Sequence, residues 1–181
     1  MRGRAIVARM LLKIVQAGHP VLRERARELA ADELRSAEIQ QLIGLMRDTM
    51  RDAPGVGLAA PQIGVGLRIA VIEDAVSANP DAPNERERDA VPFHVIVNPV
   101  LHLVPGDNVT FTEGCLSVRG FVARVARARS VRVECLDEHG APRIIEARGW
   151  YARILQHEID HLDGALYIDR MDTRSFANVM D

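Results

Sequence analysis

The chain has 181 residues, of which 48% are hydrophobic and 27% charged, and its formal net charge is -2. This length predicts one domain with a substantial core, and no stretch approaches the ~20 apolar residues that span a bilayer. The near-neutral charge predicts no direct nucleic-acid site. With two cysteines and nothing that resembles a secretory signal, the chain is expected in a reducing compartment, either the bacterial cytosol or an organelle.

The first clear element is a helix at about residues 36–51. Its apolar residues repeat at three- and four-residue steps, and Ser36 is placed to cap its first turn. A glycine-containing loop is predicted over 55–62, where small residues let another chain approach the backbone closely. A strand is expected at 67–73, and the polar stretch 74–92 is predicted to be a solvated loop.

The second half of the chain combines short β-type runs with one late helix. Three runs have strand composition: 93–97, 131–136 and 143–147. A turn-like segment, 137–140, joins the last two and predicts a β-hairpin. Helical spacing returns over 150–161, with Gly164 as the expected C-cap. Strands followed by a late helix, without regular βαβ alternation, predict an α+β fold.

The late helix carries the sequence His157-Glu158-Ile159-Asp160-His161. Residues four apart on a helix share a face, so both imidazoles can bind one metal ion with a glutamate beside them. The alternative is a pair of surface histidines on an amphipathic helix. The metal interpretation is preferred because this HExxH pattern seldom arises by chance and has a known chemical mechanism.

A catalytic zinc-type site usually takes three protein ligands, so a third must be found. The metzincin pattern HExxHxxGxxH is excluded because Tyr167 stands at its third histidine position, and no glutamate follows Glu158. The third ligand is therefore upstream, where two cysteines, other histidines and many carboxylates are candidates. Cys115, which follows a glycine, is preferred as a thiolate ligand. Cys135 lies within a strand run and is predicted to be a small buried hydrophobe.

Three segments resemble, in the right order, the signature motifs of peptide deformylases: Gly55-Val56-Gly57-Leu58-Ala59-Ala60-Pro61-Gln62, Glu113-Gly114-Cys115-Leu116-Ser117 and Gln156-His157-Glu158-Ile159-Asp160-His161. The resemblance extends from about Ile14 to Met171, and Gly149-Trp150 makes it most similar to the organellar-like type I branch. It implies an α+β fold of mixed antiparallel β-sheets packed around a central C-terminal HExxH helix. It also implies metal-dependent removal of the N-formyl group from the formyl-methionine of nascent polypeptides, with release of formate.

The resemblance implies a role for each site residue. The residues expected to bind one divalent metal ion are Cys115, His157 and His161. Ferrous iron is favoured by the resemblance, although the same ligands suit zinc, nickel or cobalt. Glu158 is expected to shuttle the proton, while the side-chain amide of Gln62 and the backbone N–H of Leu116 stabilise the oxyanion. The residues expected to bind the substrate are Gly55, Val56, Gly57, Gly114, Trp150 and Ile154.

Two other functions stay open from the sequence. One is a zinc peptidase of another kind that cuts internal bonds, and the other is a metal-binding homologue without catalysis. The expected partners are nascent formyl-methionine peptides, with a transient ribosome contact, and no oligomeric state is predicted. Residues 1–13 are expected to form an N-terminal extension and residues 14–181 a single catalytic domain.

Overall fold

A computed structural model describes residues 10–75 and 85–180 of the protein. Its α-helices are α1 (Ala31–Leu34), α2 (Ala37–Asp52) and α3 (Gly149–Leu162). Its strands are β1 (Gly57–Ala59), β2 (Ile69–Asp74), β3 (Val91–Leu103), β4 (Asn108–Cys115), β5 (Val118–Ala128), β6 (Ser130–Leu136), β7 (Pro142–Arg148) and β8 (Ala177–Asn178). Short 3₁₀ helices lie at Pro20–Arg23, Ala60–Ile63, Tyr167–Asp169 and Thr173–Ser175. Within the described ranges, no helix is long and apolar enough to cross a membrane.

The strands form two antiparallel sheets. Five strands pair in the order β1-β2-β3-β6-β7, and three pair in the order β4-β5-β8. Helix α3 contacts strands of both sheets, including β1, β7 and β5. Nearly all of its side chains are buried, because apolar strand faces surround it. The predicted α+β architecture, with antiparallel sheets packed around the C-terminal HExxH helix, is therefore confirmed.

Helix α2 forms where the apolar spacing predicted a helix. The Ser36 hydroxyl accepts a hydrogen bond from the Ile39 N–H at 3.3 Å, which satisfies a backbone donor that the first turn leaves without a partner. The buried side chains Ile39, Ile43, Met46 and Met50 then follow the three- and four-residue steps of one helix face. This face packs against the sheet beside β1 and β2.

Helix α3 ends close to the predicted position. Asp163 follows its last residue, and Gly164 has a φ of +77°, the left-handed conformation that glycine adopts readily after a helix. A Cβ atom at Gly164 would lie 2.8 Å from the carbonyl oxygen of Arg23. Glycine at this position therefore allows both the left-handed conformation at the end of the helix and the close approach of the Arg23 backbone.

Several element boundaries differ from the sequence predictions. Strand β3 is far longer than the predicted run at 93–97, and it begins inside the stretch predicted as a loop over 74–92. Residues 76–84 of that stretch and residues 1–9 of the predicted N-terminal extension lie outside the described part. The long β4–β5 hairpin was missed because Glu113 is the one buried residue of β4, and arginines interrupt the apolar pattern of β5. The predicted hairpin over 131–147 is confirmed as β6 and β7.

Candidate metal centre and active-site cleft

The three predicted metal ligands converge at one point. Cys115 lies at the end of β4, and His157 and His161 lie one turn apart on α3. Their ligand atoms all lie within 4.8 Å of one another, and Cys115 Sγ is 3.3 Å from His161 Nε2. Sulfur and imidazole ligands of one tetrahedral zinc-type ion are about 3.5 Å apart, given bond lengths of about 2.3 and 2.0 Å. The donor set and its spacing therefore fit a divalent metal ion.

Glu113 holds the ring of His157 in the orientation that a metal ligand needs. Its Oε2 lies 3.0 Å from His157 Nδ1, so Nε2 is left to face the metal position. Burial alone would raise the pKa of Glu113, but hydrogen bonds from His157 and Arg127 hold it well below its usual range. Glu113 is therefore ionised and fixes the tautomer of its histidine partner.

The Glu113 carboxylate belongs to a buried network of charges. Arg127 donates to both of its oxygens at 3.0 Å and also bonds to Asp160, while Arg153 donates to Oε1. Asp160 in turn accepts two bonds of 2.8 Å from Arg170. Removing one member of such a network leaves a buried charge without its partner, which is strongly destabilising. The network thus joins β4, β5 and α3 behind the metal ligands.

Sequence reasoning assigned no role to these network residues. Glu113 and Asp160 do lie inside the motifs that carried the family resemblance, and Glu113 is two residues from Cys115. That proximity is the signal that could have found them. Nothing in the sequence indicated that Arg127 lies between the two carboxylates, because this depends on how β5 packs against α3.

Glu158 lies beside the ligands in a dry environment. The residue is 4% exposed, and its Oε2 has no hydrogen-bond partner among the residues that the structure describes. Burial raises the pKa of this carboxyl to about 7. A carboxyl group with a pKa near neutrality can both accept and return a proton, as a general base and acid must do.

The Gln62 side chain is held in place through its amide oxygen, and its amide nitrogen faces the site. Its Oε1 accepts a 2.8 Å hydrogen bond from the Ala59 N–H, so its amide nitrogen faces the site. That Nε2 lies 3.5 Å from Cys115 Sγ and 3.4 Å from Ser117 Oγ. The Ser117 N–H also donates to the Cys115 sulfur at 3.4 Å. Gln62 thus presents a neutral donor next to the metal position.

A cleft of about 970 Å³ opens over this centre. The predicted site residues that line it are Gly55, Val56, Gly57, Gln62, Gly114, Cys115, Leu116, Trp150, Ile154, His157 and Glu158. His161 is 1% exposed and lies behind them. Val56 and Trp150 also pack against the core cluster around Ile154, so these three join the cleft to the hydrophobic interior. The fold therefore brings all the predicted site residues to one place.

Comparison with known proteins identifies the family. The family model described as polypeptide deformylase matches residues 11–177. The chain belongs to the polypeptide deformylase family. This membership confirms the predicted enzyme class, a hydrolase that removes the formyl group from N-formylmethionine peptides, and it disfavours a zinc peptidase of another kind. The deformylases are metalloenzymes, and Cys115, His157 and His161 are the candidate metal site here.

Individual deformylases show how far the similarity extends. Peptide deformylase 3 of Streptomyces avermitilis is 51% identical over 167 residues, which are 92% of this chain and 74% of the relative. The chloroplastic/mitochondrial peptide deformylase 1A of Arabidopsis thaliana is 50% identical over 173 residues, and the match spans 93% of this chain and 64% of that relative. A class I type b deformylase structure from Acinetobacter baumannii, bound to Met-Ala-Ser, superposes with a TM-score of 0.80 at 34% identity, covering 90% and 99% of the two chains.

Proposed function

We propose that this protein hydrolyses the N-formyl group of formyl-methionine at the start of nascent polypeptides and releases formate. The observation that carries the proposal is the convergence of three metal-ligating atoms with a buried carboxylate and an amide donor in one cleft. Hydrolysis of an unactivated amide requires a nucleophile, a proton shuttle and oxyanion donors, and each has a candidate group here.

Cys115, His157 and His161 would hold the divalent ion, and Glu158 would move the proton. When bound, the ion supplies Lewis acidity that makes water nucleophilic near neutral pH. The Glu158 carboxylate takes the proton of the attacking water and passes it to the leaving amine. The Glu158 side chain is almost fully buried, which keeps bulk water from competing for that proton, and its Oε2 has no hydrogen-bond partner among the described residues.

The developing negative charge on the formyl oxygen is stabilised by two donors. These are the Nε2 of Gln62, oriented by the Ala59 hydrogen bond, and the backbone N–H of Leu116. Both are neutral, so they add no positive charge that would weaken metal binding. Donors held in place before the reaction need no reorganisation as charge develops, and this makes them effective in the transition state.

The substrate is proposed to bind as an extended strand between the two sheets. Strand β1, which begins at Gly57, is at the edge of the five-stranded sheet, and β4, which contains Gly114, is at the edge of the three-stranded sheet. Both edges offer backbone groups to a peptide laid between them, and Gly55 also lines the cleft. The methionine side chain would enter the apolar region lined by Val56, Trp150 and Ile154.

Ferrous iron is the proposed native metal, with zinc, nickel or cobalt as substitutes for the same ligands. Cys115 is partly exposed in the cleft, so oxygen can reach both the ion and the sulfur. Iron-loaded protein should therefore lose activity in air and gain oxygen on the Cys115 peptide, while nickel-loaded protein keeps its activity. Formate release over time, in air and under argon, measures this. Equal lifetimes for both metals, with Cys115 unmodified, would contradict the proposal of iron.

The cellular setting of this reaction is also proposed. The substrates are nascent chains, so the protein would act in a bacterial cytosol or an organelle, with transient contact at the ribosome and no direct nucleic-acid site. Bacterial and chloroplastic relatives support either location. The division into an extension at 1–13 and a catalytic domain at 14–181 stays a prediction.

The deciding experiment compares two substrates with metal-loaded protein. One is a formyl-Met peptide, and the other is an N-acetylated peptide that contains an internal methionine. We expect formate and the free amino terminus from the first and no cleavage of the second. Internal cleavage would indicate a peptidase, and no reaction with either, in protein that holds one metal per chain, would indicate a metal-binding homologue without catalysis.

A further inference from the structure

The N-terminal segment, residues 12–17, forms hydrogen bonds to the backbone at or next to both proposed oxyanion donors. The Val15 N–H donates to the carbonyl oxygen of Gln62 at 2.8 Å, and the Ala17 N–H donates to the carbonyl oxygen of Ser117 at 2.7 Å. Upstream, the Leu12 N–H donates to the Thr49 hydroxyl at 2.9 Å and fixes the segment to α2. The segment therefore ties together two pieces of chain that are far apart in sequence.

Between these two backbone bonds, the side chain of Gln16 spans the turn that joins β4 to β5. Its Nε2 donates to the carbonyl oxygen of Leu116 at 3.0 Å, and its Oε1 accepts from the Arg119 N–H at 3.3 Å. The turn between the strands consists of Leu116 and Ser117, directly after the metal-ligand candidate Cys115. One amide group thus bonds both to the turn and to the first part of β5.

The direction of the Leu116 N–H depends on the geometry of this short turn. Each peptide unit is planar, so rotation about two bonds per residue sets where an N–H points. Fixing the Leu116 carbonyl and the Arg119 N–H restricts these rotations, because both groups are held by the same side chain at the rim of the cleft. An oxyanion donor must be aimed before the charge develops, and a misplacement of about 1 Å can reduce the rate by about 10².

We propose that Gln16 is a positioning residue that holds the Leu116 N–H in the direction required for the oxyanion. The proposal rests on the proposed function, in which Leu116 stabilises the transition state. Gln16 touches neither the metal ligands nor Glu158 by hydrogen bond among the described residues, so it acts through the turn. Its bonds are exposed and compete with water, which limits the expected effect to a part of what a lost donor causes.

The test replaces the amide while keeping the length of the side chain. Gln16→Met loses the hydrogen bonds to Leu116 and Arg119, together with a longer one of 3.5 Å to the Ile14 carbonyl oxygen, and Gln16→Glu keeps an acceptor for Arg119 but loses the donor to Leu116. We expect kcat to fall about three- to thirtyfold in both variants, below the 10²–10³ typical of a lost oxyanion donor, with KM changed less than twofold. Hydrogen exchange of a peptide covering residues 115–119 should become faster, and metal content should stay at the wild-type level.

Gln40 provides a matched control. Its side-chain amide also makes two hydrogen bonds to the backbone, from Nε2 to the carbonyl oxygens of Leu34 at 3.0 Å and Glu138 at 2.8 Å, and Gln40 does not line the cleft. Gln40→Met should therefore lose comparable hydrogen bonding, with some loss of stability, and leave kcat and the exchange of 115–119 unchanged.

Three outcomes would overturn the proposal. The first is a Gln16→Met protein with kcat within twofold of wild type, and the second is unchanged exchange at 115–119. The third is a raised KM with intact kcat, which would mean that Gln16, itself at the rim of the cleft, only contacts substrate. If the wild-type protein releases no formate, the proposed function fails, whereas the exchange measurement still tests the effect of Gln16 on the turn.

Discussion

A single methyl group added at Gly57 should reduce the rate of catalysis without preventing folding. A Cβ atom built there would lie 2.2 Å from Oε1 of Glu158, 2.5 Å from its Cδ and 2.8 Å from its Cγ. Ordinary contacts between such atoms begin near 3.5 Å, so the overlap is roughly 1 Å. The Gly57 backbone does not have a positive φ, so alanine can adopt its conformation. The Gly57→Ala protein should therefore fold, with the end of the Glu158 side chain displaced.

The size of the effect follows from this displacement. Moving a catalytic group by about 1 Å costs about 10² in rate, so kcat for formyl-Met peptide hydrolysis should fall about a hundredfold. The three atoms nearest to the new methyl group all belong to Glu158 and none to a metal ligand, so metal content should be unchanged. Formate release and metal analysis on the same purified sample measure the two quantities.

Gly44 supplies the control for this substitution. It lies within α2, and a Cβ atom there would meet nothing within 4 Å. Gly44→Ala should leave kcat unchanged and stabilise the protein by about 1 kcal/mol, because alanine is the better helix former. If Gly57→Ala keeps more than a third of the wild-type kcat, the placement of Glu158 against β1 is wrong. A loss of folding in Gly57→Ala would equally refute the reasoning.

Three further substitutions test the assigned roles. Glu158→Ala should bind metal normally and lose at least 10² in kcat, and retention of a tenth of the activity would refute its role as proton shuttle. Cys115→Ser should release metal, whereas Cys135→Ser should leave metal content unchanged and reduce stability only mildly. Burial raises the pKa of the Cys135 thiol to about 11, so this thiol stays protonated and is not a metal ligand. Equal metal loss from both variants would contradict the assignment. Gln62→Leu should lower kcat by about 10² to 10³ with little change in KM, and a raised KM alone would limit Gln62 to substrate binding.

The helical parts of the site were predictable because helix geometry is local. His157, Glu158 and His161 occupy one turn of α3, and the turn length of an α-helix places residues four apart on the same face whatever surrounds them. The Ser36 cap and the Gly164 end are local in the same sense, since each depends on hydrogen bonds within a few residues. These features were therefore predicted from the sequence with nearly correct boundaries.

The β-structure was harder to predict for a physical reason. A strand has no hydrogen bonds of its own and is defined by its partners, which can lie anywhere in the chain. In β5 the buried side chains include the charged Arg127 as well as Ala123 and Val125, and the pairing of β5 with β4 is set by the tight turn at Leu116 and Ser117. The sequence of either strand alone does not show this pairing.

What the sequence determined by itself is the chemistry of the motifs: an HExxH pair with its glutamate, a cysteine after a glycine, and a glutamine in a loop of small residues. Only the tertiary structure decided that Cys115 Sγ lies 3.3 Å from His161 Nε2, although 46 positions separate them. It also decided that Glu113 orients His157 and that Gly57 leaves room for Glu158. These arrangements depend on distant strands packing against α3, and packing between distant segments leaves no periodic signal in either one.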